Sequence, residues 1–455
     1  MSIFKAYDIR GKYPAELDEA KARVIGRAAA EFLKAKNIAV GQDVRTSSPS
    51  ITRALISGLH QAQIVSGQAG ASVTDIGVVT TPMSYFASGF YKFDATIMIT
   101  ASHNPAEYNG FKICRENAMA LSEATGLKEI EKLTEGLSVT AVAGKTISHQ
   151  SSEPDKKLDI RNDYKKHILS FCKLSHPLNI VVDTANGTVG PIFDYIFKDS
   201  PLKVTPLFFE PDGRFPNHEP NPMKDENLKT LKETVREIKA DFGVAFDGDG
   251  DRCVFLDEQG ERIASDFITA LISRELLSEE NGAAIVYDLR SSRLVREEVV
   301  KYGGQPIRER VGHAFIKETM RRQNAVFGGE LSGHYYFRSN YFADSALIAF
   351  AHILNTVSKH DQPFSEIIKS SLGGRYYNSG ELDFEVTEPD AKIAETAKLF
   401  SDGKQDWLDG LTVEYPDWWF NLRKSNTEPL LRLNVEAGAK EKLEEVKKKL
   451  ITLLI

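Results

Sequence analysis

Three short apolar runs in the first two-thirds of the chain each end in an aspartate, and each is followed by serine or threonine and a segment with helical periodicity. The runs and their aspartates are Ile38–Gly41 with Asp43, Asn179–Val182 with Asp183, and Ala283–Val286 with Asp288. Strand-like runs that alternate with amphipathic helices are typical of α/β folds. The pattern therefore predicts an α/β fold and suggests a threefold internal repeat, with three unrelated units as the alternative.

The last part of the chain has a different composition. All three tryptophans (Trp407, Trp418 and Trp419) lie there among alternating polar and apolar residues, and a Lys/Glu-rich amphipathic segment begins at Lys440. This pattern predicts a small α+β domain. A length of 455 residues allows about three domains of roughly 150 residues. The change in composition favours four, with the boundaries 1–150, 151–258, 259–372 and 373–455.

Charge and hydropathy argue against two classes of partner. The 57 Lys and Arg residues face 64 Asp and Glu residues, and neither sign forms a long block. We therefore expect no nucleic-acid and no membrane partner. The longest apolar stretch, Ala346–Leu354, contains His352 and is too short to span a bilayer. The three cysteines match no zinc spacing and are expected to be reduced, so we expect a cytoplasmic protein.

An acidic loop gives the strongest local signal for chemistry. Three aspartates alternate with glycines in this loop: Asp247, Asp249 and Asp251. Carboxylates at this spacing can converge on one hard cation, whereas a solvated acidic turn is the simpler alternative. A calcium EF-hand loop is excluded because Arg252 stands where that loop needs glycine, and Cys253–Leu256 continues as a strand. An incomplete carboxylate shell of this kind suits Mg²⁺.

A second polar loop, Thr100–Pro105, directly follows the predicted strand Ala95–Ile99 and is called the serine loop below. The carboxyl ends of strands are where α/β sheets place their ligands, so Ser102 is a candidate nucleophile, with a plain Ser/Asn turn as the alternative. A Ser-His-Asp hydrolase is disfavoured because the chain has no Gly-x-Ser-x-Gly elbow around this serine. We also expect that His103 cannot easily bond the hydroxyl of its neighbour Ser102.

Two further loops have donors suited to a sugar phosphate. Arg423–Pro429 sets an arginine, two hydroxyls and an amide between two predicted strands, which suits phosphate oxygens. Gly328–His334 places Glu330 and Ser332 between glycines, so that both side chains can bind neighbouring hydroxyls. Each loop alone is equally well explained as an ordinary polar turn. Together with the serine loop and the acidic loop, they predict a sugar phosphate as the ligand.

These motifs resemble the signature set of the α-D-phosphohexomutases, and in particular the bacterial phosphomannomutase/phosphoglucomutase branch. They occur in the family's order over almost the whole chain: Phe4–Gly11, Thr100–Pro105, Asp247–Arg252, Gly329–His334 and Arg423–Pro429. The resemblance implies four domains around a deep cleft, three of related mixed-sheet α/β topology and a fourth with a small antiparallel sheet. It also implies interconversion of hexose 1-phosphate and hexose 6-phosphate, of mannose or glucose, through a phosphoserine and a 1,6-bisphosphate.

The resemblance also implies a role for each matching residue. Ser102 is expected to carry the phosphoryl group and, with Asp247, Asp249 and Asp251, to hold Mg²⁺. Lys112 is the first choice for general acid/base, with His103 second, and Arg252 is expected to stabilise the transferred group. Substrate binding is expected from ten further residues: Tyr7, Arg10, His313, Glu330, Ser332, His334, Arg423, Ser425, Asn426 and Thr427. One departure from relatives is Arg290, where a lysine is frequent.

Several alternatives stay open from the sequence. A phosphoglucosamine mutase is the nearest, and a magnesium-dependent phosphatase or a non-catalytic sugar-phosphate-binding protein would belong to other classes. Glucose and mannose differ only at C2, so a Glu330/Ser332 pair that binds O3 and O4 predicts activity on both sugars. The expected partners are small sugar phosphates, with hexose 1,6-bisphosphate as intermediate or activator. We expect a monomer, and a weak homo-oligomer is not excluded.

Overall fold

The first part of the chain forms one mixed sheet around the predicted apolar runs. The computed structural model describes residues 2–65, 71–137, 152–425 and 430–455. The strands are β1 (Ile9–Lys12), β2 (Asn37–Gln42), β3 (Ser72–Val78), β4 (Ala95–Ile99), β5 (Tyr108–Arg115), β6 (Met119–Ala120) and β7 (Lys156–Lys157). The helices are α1 (Glu19–Leu33), α2 (Ser48–Val65), α3 (Thr81–Phe90) and α4 (Leu127–Gly136). The strand order is β1-β5-β4-β2-β3-β7, with β6 on β5.

The second part repeats the centre of that sheet. Its strands are β8 (Asn179–Asp183), β9 (Lys203–Leu207), β10 (Phe242–Phe246) and β11 (Cys253–Leu256), and its helices are α5 (Arg161–Leu169), α6 (Val189–Phe197) and α7 (Lys229–Ile238). The order β11-β10-β8-β9 matches β5-β4-β2-β3 of the first sheet. Strand directions match as well, since β8 is parallel to β9 and β10 while β10 is antiparallel to β11.

A third part has the same parallel core. Its strands are β12 (Ala284–Asp288), β13 (Gln305–Glu309) and β14 (Phe327–Gly329), with helices α8 (Ser265–Glu279), α9 (Arg293–Lys301) and α10 (His313–Gln323). Strand β12 is parallel to both β13 and β14, as β2 is to β3 and β4. The chain continues with β15 (Tyr335–Phe337), β16 (Ala343–Asp344) and the almost fully buried helix α11 (Ala346–Ser358). The threefold repeat is therefore present.

The aspartates that suggested the repeat make the same turn in each part. In all three, the N–H two residues later donates to the aspartate Oδ1: Arg45 to Asp43 (3.0 Å), Ala185 to Asp183 (2.9 Å) and Arg290 to Asp288 (2.8 Å). All three carboxylates are buried. Such a turn lets the side chain satisfy backbone donors where the strand stops, and thereby ends each central strand in a polar loop.

The last part is an antiparallel sheet, as predicted. Its strands are β17 (Tyr377–Phe384), β18 (Lys404–Asp406), β19 (Leu411–Glu414), β20 (Trp418–Lys424) and β21 (Leu431–Ala437), in the order β17-β21-β20-β19-β18. The helices are α12 (Phe364–Ser371), α13 (Pro389–Leu399) and α14 (Lys440–Leu454). Alternate residues such as Phe420 and Leu422 pack in the apolar core, which leaves Asn421 and Arg423 on the opposite, polar face.

The described residues form two compact units. One comprises Met1–Ile263 and Ser332–Pro363, and the other Ala264–Leu331 and Phe364–Ile455. The predicted domain boundary at 150/151 lies outside the described residues. All three cysteines are free thiols, and burial raises the pKa of Cys172 to about 12. In the part of the chain that the structure describes, no helix has the length and hydropathy needed to cross a bilayer.

Candidate active site

Ser102 lies on the loop that follows β4, at the carboxyl end of that strand. Its backbone has a φ of 51°, in the left-handed region, and its side chain is buried. The N–H donates to Thr100 Oγ1 (2.8 Å) and the hydroxyl donates to Asp247 Oδ2 (3.0 Å). A serine keeps this unfavourable conformation only where its surroundings hold it. The fold thus presents the Ser102 hydroxyl to the acidic loop.

His103 corrects one expectation from the sequence. Its Nδ1 lies 3.3 Å from Ser102 Oγ, because the left-handed turn at Ser102 brings the two neighbouring side chains together. Desolvation, with Arg252 and Arg10 adding to it, holds the pKa of His103 well below its usual value, so the imidazole is neutral near pH 7. No carboxylate of the described residues hydrogen-bonds this ring, so the orienting member of a hydrolytic triad is missing.

The three aspartates of the acidic loop follow β10 and converge. One carboxylate oxygen from each of Asp247, Asp249 and Asp251 lies within 4.8 Å of the others, and all three side chains are buried. The glycines between them are required by the geometry. A Cβ on Gly248 would come within 2.8 Å of the Ser102 carbonyl oxygen, and Gly250 has a φ of 74°. The glycines therefore let the acidic loop pack against the serine loop.

Lys112, on β5, supplies a counter-charge to this cluster. Its Nζ donates to Asp249 Oδ2 (2.7 Å) and Asp251 Oδ2 (2.5 Å). Burial alone would lower the pKa of Lys112, but the two carboxylates outweigh it and raise the pKa. Burial and the neighbouring aspartates raise the pKa of Asp247 well above its usual value. For Asp251, Lys112 and His334 outweigh burial and lower the pKa.

The donor set of this cluster fits a divalent cation. Asp249 Oδ2 accepts from Thr81 Oγ1 (2.6 Å) and Thr100 Oγ1 (3.3 Å) as well as from Lys112. Asp249 Oδ1, by contrast, is buried and accepts no hydrogen bond from any described residue. Burying an unsatisfied carboxylate oxygen is costly unless a ligand completes it. Oxygen ligands in this arrangement are those that Mg²⁺ prefers, so the cluster could bind a metal ion.

The same unit places other predicted site residues around the cluster. Arg252 Nε lies 3.8 Å from Asp247 Oδ2 and donates to His334 Nε2 (3.3 Å). The other ring nitrogen of His334, Nδ1, is 3.0 Å from Ser332 Oγ. These contacts bring Arg252, His334 and Ser332 to the acidic loop.

Arg10, in the first strand, contacts the serine loop. Arg10 is in β1, and its Nη1 donates to Asn104 Oδ1 (2.6 Å) while its Nε donates to Asp8 (2.8 Å). Asp8 and Asp249 outweigh burial and raise the pKa of Arg10. Tyr7 is half-buried just before this strand. The structure therefore ties Arg10 to the serine loop through Asn104.

Arg45 is a residue that the sequence interpretation missed. Its side chain is fully buried and donates from all five guanidinium hydrogens. Three of the acceptors are carbonyl oxygens of the serine loop, those of Ser102 (2.8 Å), Asn104 (2.6 Å) and Pro105 (2.6 Å). The fourth is the carbonyl of Tyr108 at the start of β5 (3.0 Å), and the fifth is the Asp43 carboxylate. The recurrence of Asp-x-Arg at Asp288–Arg290 was the signal that could have revealed it.

In the other unit, a carboxylate joins the predicted phosphate-binding arginine to Arg290. Glu381 accepts from Arg423 Nη2 (2.7 Å), Arg290 Nη1 (3.4 Å) and Arg432 Nη1 (3.1 Å). Arg423 is buried, and its Nε has no hydrogen-bond partner among the described residues. Glu381, in β17, was not identified from the sequence. Arg290 also pairs with Asp288 (2.8 Å) and Arg432 with Asp383 (3.3 Å), so three carboxylates balance the three arginines, and the Nε donor of Arg423 is left for a ligand.

The remaining predicted residues of this unit lie at loop and strand ends. Glu330 is buried directly after β14, and His313 is the first residue of α10. The N–H of Leu331, next to Glu330, donates to Asp288 Oδ2 (2.8 Å). Ser425 follows β20, and its N–H donates to the Leu430 carbonyl (2.8 Å). The predicted ligands Asn426 and Thr427 lie outside the described residues.

Family comparison agrees with this order of motifs. Four models named phosphoglucomutase/phosphomannomutase match in sequence: alpha/beta/alpha domain I over residues 1–139, domain II over 162–260, domain III over 264–373, and the C-terminal domain over 381–453. The chain belongs to the phosphoglucomutase/phosphomannomutase family. The predicted α-D-phosphohexomutase resemblance is thereby confirmed, together with the predicted class of four domains, three α/β and one with an antiparallel sheet.

Relatives match over the full length. The phosphohexose mutases of Xanthomonas campestris pv. campestris (strain B100) are 39% identical, covering 100% of this chain and 99% of the relative. A phosphomannomutase of Escherichia coli (strain K12) is 38% identical, covering 100% and 99%. The crystal structure of a phosphoglucomutase/phosphomannomutase family protein from Burkholderia thailandensis is 32% identical with a TM-score of 0.87, covering 99% and 96%. The predicted phosphohexomutase, an isomerase, is confirmed, and a glucosamine mutase is not favoured.

Proposed function

We propose that this protein interconverts the 1- and 6-phosphates of glucose and mannose, with Ser102 as the phosphoryl carrier. The observation that carries the proposal is the buried Ser102 hydroxyl, held in a left-handed turn 3.0 Å from Asp247 in the acidic loop. A hydroxyl fixed in this way is pre-positioned for in-line phosphoryl transfer, which depends on orientation and charge neutralisation more than on covalent help.

The proposed reaction consists of two phosphoryl transfers, the first from Ser102 to the sugar and the second from the sugar back to Ser102. Phosphorylated Ser102 loses its phosphoryl group to the free hydroxyl of a hexose monophosphate, which gives a 1,6-bisphosphate. The bisphosphate then turns end for end and returns its other phosphoryl group to Ser102, so that the isomeric monophosphate leaves. Arg252, beside the acidic loop, stabilises the negative charge of the group in transfer.

We assign the proton transfer to His103 in preference to Lys112. The low pKa of His103 keeps it neutral, and its Nδ1 adjoins Ser102 Oγ. It can therefore accept the Ser102 proton in the second transfer, where Ser102 is the attacking hydroxyl, and return it to Ser102 Oγ in the first transfer of the next turnover, where that oxygen leaves. Lys112 is held as an ammonium by two carboxylates and has no lone pair to accept a proton. Its role in this proposal is to neutralise the acidic loop.

We assign substrate recognition to the ten residues named for it from the sequence. Glu330 and Ser332 bind sugar hydroxyls, with Tyr7, Arg10, His313 and His334 as further contacts. Arg423, Ser425, Asn426 and Thr427 bind the phosphate that is not being transferred. The unused, buried Nε of Arg423 supports this assignment, because a phosphate oxygen would complete it. Glu330 and Ser332 are assigned to the O3 and O4 hydroxyls, and no residue is assigned to the C2 hydroxyl, where glucose and mannose differ. Both sugars should therefore be accepted.

We assign Mg²⁺ to Asp247, Asp249 and Asp251, with Ser102 adding an oxygen. The chemistry that magnesium supplies at such a site, when bound, is neutralisation of phosphoryl oxygens. Thr81 orients one of these ligands, since its hydroxyl donates to Asp249 Oδ2 (2.6 Å). Hydrogen-bond donors behind a metal ligand typically contribute about 10- to 100-fold in metal affinity.

Thr81→Val should therefore weaken Mg²⁺ binding by about tenfold. The measurement is calorimetric titration of the protein with Mg²⁺ in the absence of sugar, which separates binding from turnover. Thr52→Val is the matched control, because the Thr52 hydroxyl is also buried but makes no hydrogen bond within the described residues. Equal affinity in the two variants would show that Thr81 does not position a metal ligand.

The proposed function is tested by intact mass and turnover together. Purified protein should carry one phosphate on Ser102 after incubation with glucose 1,6-bisphosphate, and peptide mapping should locate it. Glucose 1-phosphate and mannose 1-phosphate should both yield 6-phosphates, with kcat/KM values within about a thousandfold, or roughly 4 kcal/mol. An unphosphorylated Ser102 with no isomer formed would leave a sugar-phosphate-binding protein instead. Phosphate release without isomer would indicate a phosphatase.

A further inference from the structure

A second candidate binding site lies in the unit formed by Ala264–Leu331 and Phe364–Ile455. A pocket of about 250 Å³ opens where the loop after β12 and the start of α9 meet β13 and the last antiparallel sheet. Its lining includes Ser291, Arg296, Arg308, Lys404 and Trp419. We call it the Ser291 pocket. It shares no residue with the Arg423–Glu381–Arg290 cluster of the proposed active site.

The Ser291 pocket has an excess of positive charge. Four cationic side chains line it, Arg293, Arg296, Arg308 and Lys404, against one carboxylate, Glu414. Arg308 is neutralised, because it pairs with Glu414 (3.0 Å) and with Asp406. The other three cations have no carboxylate partner among the described residues.

The three unneutralised cations are placed differently. Arg293 is fixed, since its Nη1 and Nη2 donate to the carbonyls of Pro416 (3.0 Å) and Tyr415 (2.6 Å), which orient the guanidinium without cancelling its charge. Arg296 and Lys404 are exposed, and neither makes a hydrogen bond or ion pair through its side chain within the described residues. They can turn toward a ligand at little cost in broken contacts.

The pocket also contains a buried hydroxyl that has no partner. Ser291 is 4% exposed and lines the pocket, and its Oγ makes no hydrogen bond to any described residue. The next residue differs, because the Ser292 hydroxyl accepts from the Leu294 N–H and caps α9. A buried hydroxyl without a partner is uncommon and calls for a ligand or an ordered water. This observation is independent of the charge excess and points to the same place.

We propose that the Ser291 pocket binds the phosphate group of a small molecule at a site separate from the active site. Arginine and lysine donors with one hydroxyl are the usual ligands of phosphate oxygens, and the guanidinium fork matches them in geometry. The volume is just under the lower end of ordinary small-molecule pockets, about 300 Å³, so it accommodates one phosphate with a short substituent and excludes a polymer. The source is either inorganic phosphate or a small phosphomonoester.

Binding in this pocket would join separate elements of the unit. The ligand would contact α9 through Arg293 and Arg296, and β18 through Lys404. A ligand that binds only the folded state stabilises it by RT ln(1 + [L]/Kd), so the stabilisation rises with ligand concentration. Phosphate should therefore raise the Tm of the wild-type protein more than chloride does at the same ionic strength, where non-specific screening is equal.

The test compares two double variants that remove the same charge. Arg296→Ala/Lys404→Ala removes two cations of the pocket, whereas Lys398→Ala/Lys448→Ala removes two exposed lysines elsewhere in the same unit. Calorimetric titrations use inorganic phosphate in one arm and glycerol 3-phosphate in the other. The wild-type protein and the lysine control should show one more bound phosphate than the pocket variant, or at least tenfold tighter binding at one site. Ser291→Ala should weaken the same site while retaining every charge.

Each outcome decides the proposal. If the wild-type protein binds more inorganic phosphate than the pocket variant does, and no more glycerol 3-phosphate, inorganic phosphate is the ligand of the pocket. If only glycerol 3-phosphate shows this difference, the ligand is a phosphomonoester. Binding at the active site is common to all four proteins and cancels in the comparison. If the pocket variant titrates like the wild-type protein in both arms while its Tm in chloride is normal, the pocket does not bind phosphate. That result would leave the phosphorylation of Ser102 and the mutase activity untouched.

Discussion

Ser102→Ala should lower turnover of glucose 1-phosphate by at least about a thousandfold, as expected when an enzyme loses its only covalent carrier. Alanine removes the Oγ that is proposed to hold the phosphoryl group, and nothing else in the loop offers a hydroxyl beside Asp247 in its place. The loop itself should persist, because its carbonyls stay bound to Arg45. The expected defect is therefore in kcat, with Mg²⁺ binding and Tm close to those of the wild-type protein.

A matched control is available in the same chain. Ser273 is also buried, and its hydroxyl donates to the Thr269 carbonyl within α8. Ser273→Ala makes the same chemical change away from the serine loop and should keep full turnover. Coupled detection of glucose 6-phosphate, with glucose 1,6-bisphosphate supplied, measures both variants. If Ser102→Ala retained a tenth or more of wild-type turnover, this serine would not carry the phosphoryl group.

The fold was predictable where the physics is local. The apolar runs ending at Asp43, Asp183 and Asp288 are central strands because short β-branched segments between amphipathic helices have few other ways to bury their side chains. The repeated Asp turn follows from the same local logic, since the carboxylate bonds backbone two residues ahead. Strand order was not predictable from these runs, because it depends on pairings between distant segments.

The sequence was enough to predict the loops of the site, but not the distant residues that hydrogen-bond to them. The alternation of aspartate and glycine from Asp247 is itself enough to predict that the three carboxylates come together, because the glycines allow the tight turns that this requires. Thr81 is 168 residues from Asp249, and Glu381 is 42 residues from Arg423, so no local pattern pairs them. The His103 expectation was wrong for a related reason. The left-handed φ of Ser102 is imposed by contacts from distant residues, and a sequence motif does not contain that conformation.

Arg45→Lys should lower kcat by about a hundredfold while the protein stays folded, because a displacement of about 1 Å at reacting atoms costs that much. Arg45 has all five N–H donors engaged, and four of them bind carbonyls between Ser102 and Tyr108. A lysine ammonium has three donors on a single atom and cannot reach four carbonyls at fixed angles. The charge beside Asp43 is retained, so the main loss is the position of the serine loop.

Arg45→Ala should instead destabilise the protein by about 3–5 kcal/mol, because it leaves the buried Asp43 carboxylate without its cation. Comparing kcat and the free energy of unfolding between Arg45→Lys and Arg45→Ala separates the role of Arg45 in positioning the serine loop from its role in stability. For Arg45→Lys, the measurements are kcat, KM and the rate at which glucose 1,6-bisphosphate phosphorylates Ser102. We expect kcat and the phosphorylation rate to fall together with little change in KM, since Arg45 contacts the loop and not the proposed sugar-binding residues.

Arg161→Lys is the control that isolates the carbonyl contacts. Arg161 forms the same local turn with Asp159, with its N–H and Nε both bound to that carboxylate. Its side chain is exposed, however, and makes no hydrogen bond to a carbonyl of any residue that the structure describes. Its replacement should leave kcat unchanged. A normal kcat in Arg45→Lys would mean that the serine loop keeps its geometry without the guanidinium fork. Strain at Ser102 would then be sustained by Thr100, His103 and the acidic loop, since they provide the other hydrogen bonds to this residue within the described part of the chain.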